Sequence, residues 1–153
     1  MNQEEMELTA HQKDVLRSSL VAEFKKLLGI PYDFGAEWTD YSLPPKARDC
    51  SEAGEGIFRI SGMKMPDGAQ AQFDFTIPVA IAAPGDLAFF GKGGDIGKVY
   101  HVGMLAGPHD IIEARGFDPK ASFETGKVIL RARQKWENYK PNFLGYRAHP
   151  KLA

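Results

Sequence analysis

A chain of 153 residues with 43% hydrophobic and 25% charged side chains has the balance of one ordinary folded domain and little room for a second. Its 19 lysines and arginines against 20 aspartates and glutamates leave a net charge of −1, which excludes a global field that would draw it to nucleic acid or an anionic membrane. The single cysteine excludes an intrachain disulfide, fits a reducing compartment, and raises the question of what a lone thiol is for.

No apolar run approaches the ~20 residues that span a bilayer. The acidic start Met1-Asn2-Gln3-Glu4-Glu5 lacks the basic and apolar regions of a secretory signal. The expectation is synthesis in the cytoplasm without a signal peptide, no membrane partner, and action elsewhere only after release by another system. Residues 1–13 are polar and read as an extension ahead of a single domain over 14–153.

From Asp14, apolar residues Leu16, Leu20, Val21, Phe24, Leu27 and Leu28 recur at three- and four-residue spacing and predict a helix, stopped by Gly29 and Pro31. Residues 33–48, with Gly35, Pro44 and Pro45, predict a long loop whose Trp38 and Tyr41 either line a cleft or pack onto the core. Residues 51–60 predict a second helix despite Gly54 and Gly56, which close approach to a neighbouring element would justify. Beyond Pro84, β-type runs appear at Leu87–Phe90, Val99–Ala106, Ile111–Ala114, Val128–Leu130 and Phe143–Tyr146. Helices first and strands afterwards give an α+β class, with N-terminal helices packed on an antiparallel sheet of about five to six strands.

A cysteine nucleophile must act as a thiolate, and a free thiol with a pKa near 8.5 is mostly protonated at neutral pH. Cys50 precedes the second helix, where the helix dipole and a neighbouring imidazolium both favour the anion. Taken alone, a lone cysteine more often just fills a core. His101 changes that balance, because it opens a core-like strand where a histidine needs a partner. If Gly107-Pro108-His109 form a three-residue turn, Gly103 faces Glu113 and Arg115 faces His101. Glu113 then lies diagonal to His101 on one face, within reach of long side chains. A carboxylate there would orient the imidazole, whereas a loop one residue longer or shorter would place Glu113 on the opposite face, and a solvated strand residue is the alternative reading.

With these residues in place the sequence resembles the NlpC/P60 family of cell-wall peptidases from about Ser18 to the C-terminus. The matching pieces keep the family's order. Leu28 to Gly35 is similar to its opening motif, Asp49-Cys50-Ser51 to the nucleophile motif, and Met65-Pro66 with Gln72 to a following segment. Pro84 to Phe90 is similar to "pGDLvFF", His101-Val102-Gly103-Met104 to "HVGIY", and Phe143 to Arg147 to the closing strand. The resemblance implies a papain-like fold and cofactor-free hydrolysis of an amide next to D-γ-glutamyl in peptidoglycan stem peptides. It implies Cys50 as nucleophile, His101 as base, Glu113 as the residue orienting the histidine, and Tyr32, Asp49 and Ser51 as residues shaping the pocket. Its partner would be a stem peptide or muropeptide, met after release by a phage, by lysis or by a secretion system, with phage-tail or effector partners in that setting.

The chain departs from the family at Glu113, where histidine is commoner, at Glu52 in place of the glycine after the nucleophile motif, and at Ala36 in the glycine pair. Two other readings remain: a non-catalytic module of the same fold, and an intracellular γ-glutamyl amidase or acyltransferase. The Gly91–Lys98 run does not fit a phosphate-binding loop, because Lys92 takes the first glycine's place and no helix is expected after it. His101, His109, Asp110 and Glu113 match no metal-ligand spacing, so no metal is expected. His11 and His149 are expected in solvent, and Trp136, Tyr139 and Phe143 as cover for the sheet.

Overall fold

The structure is a computed structural model that describes residues 7–31, 50–116 and 118–153. The loop predicted over 33–48, with Trp38 and Tyr41, lies outside these residues, as do Tyr32 and Asp49.

Helix α1 spans Ala10–Lys25 and begins four residues before the apolar stripe announces it. The reason is local. Thr9 accepts from the Gln12 backbone N–H, and the Gln12 side chain accepts from the Thr9 N–H, a reciprocal cap that nucleates the helix. Residues 10–13 are therefore helical. Leu20, Val21, Phe24 and Leu27 form the buried stripe, while Leu28 is exposed. Helix α2 spans Cys50–Ile60 and α3 Ala69–Phe75. Among the described residues, a Cβ at Gly54 would meet Gln72 Oε1 at 3.8 Å, an ordinary contact.

The strands are β1 (Ile77–Pro78), β2 (Leu87–Gly91), β3 (Val99–Leu105), β4 (Asp110–Arg115), β5 (Lys127–Ala132) and β6 (Phe143–Ala148), with the short helix α4 (Arg133–Glu137) between the last two. They form one six-stranded sheet in the order β1-β6-β2-β3-β4-β5, every pair antiparallel. The α+β class with N-terminal helices on an antiparallel sheet is the one found. The Gly91–Lys98 connection contains a single 3-10 turn, Lys92–Gly94.

Alternation along the strands divides the side chains between two faces. On one, Leu87, Phe89, Val102, Met104, Ile112 and Val128 join Leu20, Phe24, Ile57 and Phe58 of α1 and α2 in the main core. On the other, Ala88, Phe90, Leu105 and Ile111 gather around Trp136 of α4. Trp136 thus covers the sheet as expected and Phe143 packs against it half-buried, whereas Tyr139 is 54% exposed.

The Pro84-Gly85-Asp86 turn has a structural reason. Gly85 adopts φ +92°, which glycine tolerates, and a Cβ there would press on the Arg17 backbone. Asp86, 1% exposed, accepts Arg17 Nη1 at 2.6 Å and the Ala83 N–H at 2.8 Å. His149 corrects an expectation: it is buried, not solvated. Its ring stacks on Phe58, its Nε2 donates to the Lys64 carbonyl at 2.7 Å, and its Nδ1 accepts from the Lys151 N–H. Those two contacts fix the neutral tautomer, and burial holds its pKa below the usual value. His11 is exposed, as expected.

Candidate active site

The β3–β4 hairpin has the register that the three-residue turn predicts. Met104 pairs with Ile112, Leu105 with Ile111, and the Ala106 N–H donates to Asp110 O. Continuing that register puts Glu113 diagonal to His101, and their side chains meet, with His101 Nε2 2.9 Å from Glu113 Oε1. Because Nε2 is engaged, Nδ1 is the nitrogen left to face a nucleophile. Cys50, the first residue of α2, is half-buried. Its Sγ lies 3.9 Å from the carbonyl oxygen of Tyr100, the residue before His101.

Electrostatics favour a charged histidine. Burial, the largest single influence, disfavours the imidazolium. The hydrogen bonds and charges of Cys50 and Glu113 outweigh it and raise His101 from 6.5 to about 9. For Glu113 burial likewise works toward the neutral acid, but His101 first, then Arg115 and Arg131, hold the carboxyl below its ordinary range.

Glu113 is fully buried and both its oxygens are occupied. Oε1 also accepts Arg115 Nη1 at 3.1 Å. Oε2 accepts the Trp136 indole N–H at 2.7 Å, with Arg131 Nη1 at 3.8 Å. The alternation of β4 puts Arg115 on the Glu113 face, a signal the sequence carried. The contributions of Trp136 and Arg131 depend on how β5 and α4 return, which no local pattern reveals.

Cys50 and His101 open onto a pocket of about 300 Å³. Phe90, Tyr100 and Tyr139 supply aromatic walls, Arg115 a cation and Asp118 an exposed carboxylate. Ser51 is buried and does not line it; its carbonyl accepts the Gln72 side-chain amide at 2.9 Å, tying α3 to the start of α2. Among the described residues Glu52, Glu55 and Asp67 form an acidic group, apart from this pocket. His109 lines a separate cavity beside α4 and Asp110 is exposed, so neither joins His101 and Glu113 in one donor set.

The comparisons with known proteins agree with this architecture. The pattern of the NlpC/P60 family matches residues 29–135, about two thirds of the chain, including the cysteine, the histidine and the glutamate. The chain belongs to the NlpC/P60 family. It is 33% identical over 109 residues to the probable endopeptidase p60 of Listeria grayi, a match covering 70% of this chain and 20% of that protein. The probable endopeptidase p60 of Listeria innocua is 36% identical over 99 residues, covering 63% of this chain and 19% of the relative. The chain thus spans about a fifth of the curated relatives it matches. Among solved structures, an NlpC/P60 family protein of Bacillus cereus has a TM-score of 0.68 at 23% identity, over 87% of this chain and 40% of that one. The P60 domain of a Mycobacterium avium subspecies paratuberculosis antigen has a TM-score of 0.66 at 22% identity, over 90% of this chain and 96% of that one. At these identities the structures speak for the NlpC/P60 fold.

Proposed function

We propose that this NlpC/P60 protein is a cysteine hydrolase that cleaves an amide next to D-γ-glutamyl in peptidoglycan stem peptides. The observation that carries the reading is the convergence of Cys50, at the head of α2, with the His101–Glu113 pair at one pocket. The curated relatives support it, being named probable endopeptidases.

In this mechanism His101 holds the proton and Cys50 the negative charge. Cys50 Sγ attacks the carbonyl carbon, and the oxyanion forms at the positive end of the α2 dipole. The imidazolium passes its proton to the departing amine as the C–N bond breaks, leaving a thioester on Cys50. His101 then takes a proton from water, whose hydroxide displaces the sulfur and releases the acid. Glu113 keeps Nε2 occupied throughout, so that Nδ1 alone exchanges protons with substrate. Tyr32 and Asp49 would shape the pocket beside the nucleophile, with Ser51 behind it at the start of α2. Contact with the wall follows release by a phage, lysis or a secretion system.

Digestion of purified walls tests this. The expected result is release of new free amino groups, abolished by Cys50→Ala and by His101→Ala. Tight wall binding without turnover by the native protein would instead identify a binding module. Turnover of small γ-glutamyl amides but not of walls would identify an amidase or acyltransferase.

A further inference from the structure

We infer that Trp136 is a positioning residue of this site, its indole N–H fixing the Glu113 carboxylate toward His101 while its ring face braces the imidazole. The inference rests on the hydrolase reading above and adds a residue to it.

The last torsion of a glutamate side chain is soft, and the contacts from His101 and Arg115 both fall on Oε1, so they do not by themselves hold the carboxylate plane. A second contact, on Oε2, is needed. Arg131 Nη1 is 3.8 Å from Oε2, beyond direct hydrogen-bond distance, whereas the Trp136 Nε1–H donates to it at 2.7 Å. Among the described residues this is the short contact that pins the second oxygen. Without it the carboxylate is free to turn toward Arg131 and loosen its grip on Nε2.

The ring adds a second constraint. Trp136, wholly buried, lies at 5.3 Å and 24° from the His101 ring, and stacks on Phe90 at 4.2 Å. An imidazolium gains from an aromatic face, and a ring stacked on one side cannot flip without displacing it. Strand β3 leaves room for this indole: a Cβ at Gly103 would lie 2.9 Å from two of its carbons, and 2.8 Å from Ile111 Cγ2. A tryptophan that merely filled the core would need neither its N–H on this carboxylate nor its face on this imidazole.

Two replacements at position 136 test the inference. Trp136→Phe keeps an aromatic ring and loses the donor. Site-specific β-(3-benzothienyl)alanine keeps the indole shape with sulfur in place of N–H. Each is measured for kcat and KM on a defined muropeptide, and for the pH profile of Cys50 alkylation by iodoacetate, whose carboxylate is drawn in by the imidazolium so that the rate falls when that proton is lost. Both are expected to lose on the order of tenfold to a hundredfold in kcat with KM within about twofold of native. The alkaline limb of the alkylation profile should move to lower pH, because a loosened Glu113 holds the imidazolium less well. Native kcat in the benzothienyl variant, or an alkaline limb that stays in place or moves upward, overturns the inference. If Trp136→Phe melts without cooperativity, the isosteric variant decides. If the native protein cleaves no muropeptide, the hydrolase reading fails, and the alkylation profiles still decide the role of Trp136.

Discussion

At the scale of single residues, the site is one buried carboxylate serving three donors, with the Arg131 cation close by. Glu113→Ala therefore removes more than a catalytic contact: it leaves Arg131 and the imidazole beside an uncompensated gap. The expected cost is about 3–5 kcal/mol in denaturant unfolding, together with a fall in kcat. Unchanged stability would mean that the donors find water instead. His101 gives a second expectation. Its folded pKa, about 9, lies above the unfolded 6.5, so its contribution is full below pH 6.5 and is lost as pH rises through 9. The stability difference between native protein and His101→Gln should shrink across that interval, and a difference that grows would contradict the assignment. The His101–Glu113 pair was legible in the sequence because a three-residue turn and strand alternation determine it. Trp136 was legible as core but not as a donor, since its partner lies 23 residues away across two strands.

At the scale of elements, the long periodic helix and the five strands beyond Pro84 were legible, and the short pieces were not. Helix α3 has seven residues, opens at Gly68 and carries no side-chain cap. Strand β1 has two residues, one of them Pro78, and is extended by its pairing to β6. Helix α4 is a five-residue turn. Each takes its conformation from distant packing. The start of α1 is different, because its Thr9–Gln12 cap is local and was there to be read. Thr9→Ala should cost about 1 kcal/mol and lower Tm by roughly 2–4 °C. Wall hydrolysis should stay unchanged, since the cap lies outside the site. Calorimetry checks the first part, and an unmoved Tm would show that packing alone holds the helix start.

At the scale of the whole molecule, Arg17 joins distant parts of the chain. From α1 it donates to Asp86 at the head of β2, to the Pro84 carbonyl and to the Leu152 carbonyl near the C-terminus. The family-like Pro-Gly-Asp turn thus secures helix to sheet. Asp86→Ala strands a guanidinium that is 14% exposed, and should destabilise by about 3 kcal/mol in urea. A loss under 1 kcal/mol would reduce this tie to an ordinary surface pair.

The central claim is that Cys50 forms the thioester while His101 exchanges the protons. Mass spectrometry of a defined muropeptide incubated with the protein and quenched in acid tests it most directly. The expected result is two fragments separated at the γ-glutamyl amide, an acyl adduct on the Cys50 peptide, and neither with Cys50→Ala. Cleavage that persists in Cys50→Ala, or an adduct on another residue, would contradict it.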